Sequence, residues 1–292
     1  MNVVGSLFHL IRNCKSLRSI ALLILLGSFT ANAAVELDKQ LEQQLDQYLT
    51  TANQDENLAG QFLLSLEKDV SALTPINSKV RFYVYKVSEL RRLKDQKGLD
   101  ETLVLLQELA QTTQDPDVLA EINAEMLVQF WDKADFSKAI TYLEPTLEYA
   151  HQASQSRVKY YAFNLAGNFQ SWRGKYDQAL QAYHDAYEAI AQDEHPRTTF
   201  RRMNLALRMA NLQSSLKNFE KSNQMTEEVL PIALQNPELE GFLPDIYIQQ
   251  GFNLVELQDL DGAAKANLEA LKWAKKRNMI FAETTALNNL GD

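Results

Sequence analysis

Apolar residues along this chain recur at intervals of three and four, the spacing of one face of an α-helix, in stretches long enough for several helical turns. Short polar turns separate the stretches. Between Tyr160 and Ile190 the run YYAFNLAGNFQSW, the turn RGKY and the run DQALQAYHDAYEAI predict helix, turn, helix. No stretch alternates in the manner of a strand. The pattern therefore predicts helix hairpins joined in series.

Two markers give the hairpins a period. Helix-start signals, a capping-type residue that in four cases precedes Pro, stand at Thr74-Pro75, Asp115-Pro116, Ser156, His195-Pro196, Asn236-Pro237 and Asn278, separated by 41, 41, 39, 41 and 42 residues. Proline suits the first turn because a helix start has N–H groups without intrahelical partners, and Pro lacks one. The second marker is an apolar residue expected to plug each mid-repeat turn, at Leu99, Phe136, Tyr176, Phe219 and Leu260, separated by 37, 40, 43 and 41 residues. Small residues recur where paired helices must approach closely. Gly167, Ala179 and Ala186 have counterparts in Gly251, Ala263 and Ala270, and looser ones in Ala210, Ser222 and Val229.

These residues resemble the tetratricopeptide repeat, whose signature places small residues at Gly167, Ala179 and Ala186, an aromatic at Tyr183 and a turn glycine at Gly174. The copy at 163–190 matches best and that at 247–271 well. Those at 123–147 and 206–230 are degenerate, and 35–110 follows by period and turn position alone. The resemblance implies an all-α fold, a right-handed superhelix or α-solenoid of stacked antiparallel hairpins, about six of them over 34–292 with the last truncated. A spacing near 40 exceeds the family's usual 34, which implies longer helices, as in lengthened repeats of bacterial regulatory proteins. Leu287 to Asp292 restates the start of a first helix, with Gly291 forty residues after Gly251, as expected of a piece of a longer protein. Exported arrays of this type are similar to the sensory regions that precede a membrane helix and a GGDEF cyclase or histidine-kinase domain. Neither catalytic motif is present in this sequence.

The first 33 residues stand apart from the repeats. Arg12, Lys15 and Arg18 lead into the apolar run Ile20 to Phe29, and Ala31-Asn32-Ala33 follows with the small-x-small pattern of a signal-peptidase site. A ten-residue run spans about 15 Å as a helix, half of a hydrocarbon core of roughly 30 Å. A secretory signal peptide over 1–33 is expected, with a retained anchor as the alternative. Its removal takes the single cysteine, Cys14, and leaves 259 residues of net charge −12. Such a chain has no disulfide, thiolate nucleophile or Cys-based zinc site, and its acidity argues against a nucleic-acid partner. A periplasmic location is expected, without membrane contact by the repeats themselves.

Composition agrees with helices. Gly and Pro make up 17 of 292 residues, about half the roughly 12% of average usage. Catalytic motifs are not found: there is no P-loop, no GxGxxG after a strand, no GxSxG and no HExxH. His184 and Glu188 stand one helical turn apart, yet no third metal ligand is evident, so no metal or cofactor is expected.

Binding is the expectation the repeats favour. First helices of stacked hairpins line the concave face. By the phase of the best repeat, the lining positions are Tyr161, Asn164, Asn168, Ser171 and Trp172. The next repeat adds Asn204, Leu207, Arg208, Asn211 and Ser214, and the one after it Asp245, Ile248, Phe252 and Glu256. The preceding repeat adds Glu121, Val128 and Trp131. Asn is a poor helix former, so its recurrence on one face invites another reason. A primary amide both donates and accepts, and can hold the backbone of an extended peptide. Asn164, Asn168, Trp172, Asn204, Arg208 and Asn211 are the candidate partner-binding residues. Asn164, Asn168 and Arg208 resemble part of the family's carboxylate clamp, whose paired lysines are not matched. The competing reading is a hydrated inner surface with Trp131 and Trp172 as partly buried packing residues. Tyr160, Tyr161, Tyr176, Tyr183 and Tyr187 read mainly as core, and Arg201-Arg202 as a solvated pair near a helix start or a contact for an acidic partner. The sequence thus predicts a non-catalytic module for a protein or peptide, with sensor input to a membrane signalling enzyme as the alternative.

Overall fold

In the computed structural model, which describes residues 36–49, 51–52, 55–72, 76–193 and 197–291, the backbone turns left-handed at Lys94, Ala134, Gly174, Lys217 and Gln258. These residues are spaced 40, 40, 43 and 41 apart, with φ between 57° and 72°. At each, the next N–H reaches back five residues to a carbonyl: Asp95 to Leu90, Asp135 to Phe130, Lys175 to Gln170, Asn218 to Gln213 and Asp259 to Leu254. This Schellman closure satisfies carbonyls left open at the end of a helix. Glycine takes the left-handed conformation without strain, and only Gly174 does so here. The other four turns place a Cβ in a region that disfavours it, so packing rather than local preference holds them.

Helices connect these turns, and the described residues contain no strand. They fall into two compact units that meet in sequence at Gln114 and Asp115. In the first unit, α1 covers 36–49, followed by α2 (Glu56–Ser65), α3 (Glu67–Ala72), α4 (Ile76–Leu93) and α5 (Gln96–Ala110). Its core is Leu41, Leu45 and Tyr48 of α1 with Ala59, Leu63, Leu66, Val70 and Phe82. Asp55 caps α2 by accepting from the Asn57 and Leu58 N–H groups. Arg81, 4% exposed, is neutralised by Glu42 and Asp46 of α1, the latter at 2.5 Å. Burial opposes its charge, but Tyr85, Glu42 and Asp46 outweigh burial and hold the Arg81 guanidinium above its ordinary range.

The second unit is a series of antiparallel pairs: α6 (Pro116–Asp132) with α7 (Phe136–Gln152), α8 (Ser156–Trp172) with α9 (Tyr176–Ala189), α10 (Thr198–Ser215) with α11 (Phe219–Gln235), and α12 (Leu243–Glu256) with α13 (Leu260–Lys276). A 3₁₀ turn, Pro237–Phe242, precedes α12, and α14 (Ile280–Gly291) packs on α13. The core runs through Ala120 and Ala124 of α6, Val158, Ala162 and Phe163 of α8, Ala179, Tyr183 and Ala186 of α9, and Leu205 and Leu212 of α10. The small residues stand where the pattern requires them. A Cβ on Gly167 would lie 2.6 Å from the Tyr183 ring, and one on Gly251 would strike Asn267, which holds the position of Tyr183 in its own repeat.

Four sequence expectations shift. Asp115 caps α6 with Pro116 at its first position, as expected, whereas Asn236-Pro237 opens the 3₁₀ turn rather than α12 itself. Asn278 does not start a helix: it is the left-handed residue closing α13, with φ 54°, and α14 begins at Ile280. Leu99 is not the turn residue of its repeat. The first residue of α5 is Gln96, so the apolar marker falls one turn inside the helix, where Leu99 is buried. Leu260, the first residue of α13, is 67% exposed and plugs nothing. The signal segment 1–33, Thr74-Pro75 and His195-Pro196 lie outside the described residues.

Candidate functional site

Where first helices of successive pairs face one another, the seams are polar. On α6 the residues Asp117, Glu121, Glu125 and Gln129 repeat every fourth position, and each is at most 6% exposed. One stripe thus faces α8, which lies along α6. Asp117 accepts from the Ser154 N–H at 3.0 Å, the Gln155 N–H at 2.9 Å and the Ser154 hydroxyl at 2.6 Å. It supplies to α8 the cap that Gln155, the N-cap residue, does not provide. Glu121 pairs with Arg157, and Glu125, fully buried, accepts from the Tyr161 hydroxyl. In this seam acid meets donor along its length, so Glu121 and Tyr161 are joined to each other's helices rather than facing a groove.

The next seam differs. Here α10 meets the preceding pair chiefly through α9, and a long side chain bridges to α8. Arg208 donates from Nη1 to the Asn168 carbonyl oxygen and from Nε to that of Asn204, both at 2.6 Å. The Tyr183 hydroxyl donates to the same Asn168 oxygen at 2.8 Å, and the guanidinium carbon stands 6.0 Å from the Tyr183 ring centre. Arg208 has no carboxylate partner among the described residues. One turn before Asn168, the Asn164 side-chain oxygen is buried without a hydrogen-bond donor. Burial pushes the Tyr160 and Tyr183 hydroxyls above their ordinary range, with Arg201 and Arg208 pulling Tyr160 back and Arg208 pulling Tyr183 back. Both phenols therefore stay protonated, and Tyr183 acts as a donor.

Four of the six candidate residues, Asn164, Asn168, Asn204 and Arg208, thus share this seam. Asn211 is exposed one turn beyond Arg208 on α10. Trp172, 51% exposed, sits one turn beyond Asn168 among aromatics: its ring centre is 4.5 Å from Phe136, 5.8 Å from Trp131 and 5.9 Å from Phe169. The expectation of partly buried packing thus fits Trp131 but describes only one face of Trp172.

Other positions assigned to the face are not on it. Leu207 is buried with Met203, Leu239, Leu243 and Ile246. Ser214 is buried in a hydrogen-bond network with Ser222, Gln249 and Asn253. Both are taken up by the pair that follows: Leu207 packs on the 3₁₀ turn and α12, and Ser214 bonds to Gln249 and Asn253 of α12. Asn204 and Arg208 remain in the seam with α8. Phe252 and Glu256 of α12 are exposed, as expected. Arg201 and Arg202 are not a solvated pair: Arg201 covers the Tyr160 ring at 5.0 Å, and Arg202 donates to the Ile190 and Ala191 carbonyls at the end of α9. A cation there complements the negative end of the helix. The Asp117 stripe went unrecognised as a seam, although four polar residues at a spacing of four on an apolar helix are its signal.

Among the described residues no three His, Cys, Asp or Glu side chains group around a metal position, and no helix is long and apolar enough to cross a membrane.

No family model and no curated protein matches the chain. Solved structures do match. The apo form of RapI superposes with a TM-score of 0.70 at 12% identity, covering 86% of this chain and 70% of its own. The tetratricopeptide-repeat sensor ATPase of the STAND type from Pyrococcus horikoshii gives 0.69 at 13% identity, over 90% of this chain and 38% of that one. The apo quorum sensor NprR from B. thuringiensis gives 0.61 at 13%, over 87% and 70%. The chain has the fold of a helical-repeat solenoid. At these identities the likeness is one of fold, and it agrees with the antiparallel pairs and the period near 40.

Proposed function

We propose that this chain is a non-catalytic binding module that holds a protein or peptide against the concave face made by its first helices, after export to the periplasm. The observation that carries the reading is Arg208. Its guanidinium is fixed by two neutral amide oxygens and has no acidic partner among the described residues. A charge held by neutral groups keeps its attraction for an incoming anion. Trp172 adds an exposed aromatic face beside them, and Asn211 a further amide. NprR, similar in fold, has been solved in complex with its cognate peptide NprX, with a TM-score of 0.55 at 13% identity over 86% of this chain. Export rests on the sequence of residues 1–33.

The test is selection of extended peptides from a randomised library on the wild-type chain, followed by titration of the selected peptides. Arg208→Met and Asn168→Ala are expected to weaken binding about tenfold or more, as for loss of a hydrogen bond to a charged group. Peptides that bind both variants as well as wild type would place the site elsewhere and overturn the reading. A second reading, sensor input to a signalling enzyme such as a diguanylate cyclase outside this sequence, is favoured by the sensors among the structural neighbours. Reading the native gene past the codon for Asp292 tests it: a membrane helix and a GGDEF segment support it, and a stop codon excludes it.

A further inference from the structure

A cleft of about 460 Å³ runs along α7, lined by Ile140, Leu143, Glu144, Leu147 and Glu148, with Gln170 of α8 joining them. Gln170 is two positions from Asn168, about 200° around the helix, so the cleft opens on the side of α8 away from the amide and arginine seam. Its volume is in the range of sites that enclose a ligand, and its make-up, mostly apolar with a few polar groups, is of the same kind.

Three features describe what fits. Ile140, Leu143 and Leu147 offer an aliphatic surface, and Ile140 remains 43% exposed. Glu144 and Glu148 are exposed, lie one turn apart on one face, and make no ion pair among the described residues. Like charges in that relation repel, and a cation placed between them relieves the repulsion. Gln170 is 6% exposed, and its side-chain oxygen accepts from Arg173 at 3.3 Å. Its amide nitrogen makes no hydrogen bond among the described residues, so Gln170 brings a free donor to the lining of the cleft.

We propose that this cleft binds an extended basic segment of a partner protein, in which an aliphatic residue neighbours an arginine or lysine. The aliphatic side chain covers Leu143 and Leu147, the cation lies between Glu144 and Glu148, and a backbone carbonyl of the segment accepts from Gln170. The carbonyl is what selects a peptide. A polyamine satisfies the two carboxylates but leaves the Gln170 donor unmet. The site is independent of the Arg208 seam and of whatever binds there.

The probe is a fluorescein-labelled pentapeptide of alternating leucine and arginine, blocked at both ends and titrated against the chain by fluorescence anisotropy. Saturable binding is expected, weakened about tenfold by Glu144→Gln with Glu148→Gln, as for loss of paired charges. Gln170→Leu should weaken it by several fold. Glu227→Gln with Glu228→Gln, an exposed acidic pair on α11, and Arg208→Met should leave it unchanged. Unlabelled pentapeptide should displace the probe at far lower concentration than spermine. The glutamate variants alter exposed side chains and serve where Gln170→Leu disturbs packing. Absence of saturable binding, equal weakening by the α11 pair, or equal displacement by spermine would each overturn the proposal.

Discussion

The seam between α6 and α8 and the seam between α8 and α10 share one helix, yet they are built on opposite plans. The first is closed: Asp117, Glu121 and Glu125 each meet a donor from the α8 side, and the helices lie side by side. The second is open. Arg208 crosses a wider gap, takes hold of two amides, and brings a charge that no acid neutralises among the described residues. Buried ionic groups that satisfy one another fix the register of two helices, whereas a fixed charge left without a counter-charge is free to act on something else. Polarity alone does not mark a site, and the state of satisfaction does.

The largest expected effect comes from breaking the closed seam. Asp117→Ala removes three hydrogen bonds to a carboxylate and uncaps α8, and should lower stability by about 2–4 kcal/mol in urea denaturation followed by circular dichroism. A loss below about 1 kcal/mol would show that water replaces Asp117 and that the seam does not hold the helices. Next in size is a gain. Ala134→Gly relieves the left-handed turn at the far end of α6 and should stabilise by roughly 0.5–1 kcal/mol, since glycine adopts that conformation freely. The two changes are separated by the length of α6, about 25 Å, so the double variant should show their sum. The smallest stability effect belongs to the open seam. Arg208→Met keeps much of the aliphatic contact with Tyr183 and should shift stability by less than about 1 kcal/mol, because the amides it releases can turn to water. A loss comparable to that of Asp117→Ala would erase the distinction between the seams.

Much of this was legible in the sequence, and the departures have physical reasons. The period was readable because helix starts favour particular residues, as at Asp115-Pro116, whereas among the five turns only Gly174 announces itself. Asn278 misled because asparagine suits both a helix N-cap and a left-handed C-terminal turn, and spacing does not separate them. Leu99 misled because the turn tolerates any residue at the first helical position, and Gln96 holds it. The amide and arginine seam emerged at Asn164, Asn168, Asn204 and Arg208, which a spacing of 40 aligns, and Leu207 and Ser214 went astray because contacts of α10 with the following pair bury them. The pairing of Glu121 with Arg157 and of Glu125 with Tyr161 needed three-dimensional placement, since a carboxylate on a first helix reads equally as buried or solvated. Arg202 reads as a surface charge until the carbonyls at the end of α9 are set beside it.

The polar links between successive pairs have one further property. Ser154 to Asp117, Arg157 to Glu121, Tyr161 to Glu125, Gln249 to Ser214 and Arg208 to Asn168 all join residues 35 to 40 positions apart. Each fastening spans about one repeat, so none has to wait for a distant part of the chain. Loop closure over that distance is modest, and a chain with this wiring should assemble rapidly, by growth from whichever neighbouring pairs meet first. The same wiring sets the order of loss, with hydrogen exchange slowest around α8, where fastenings arrive from both sides.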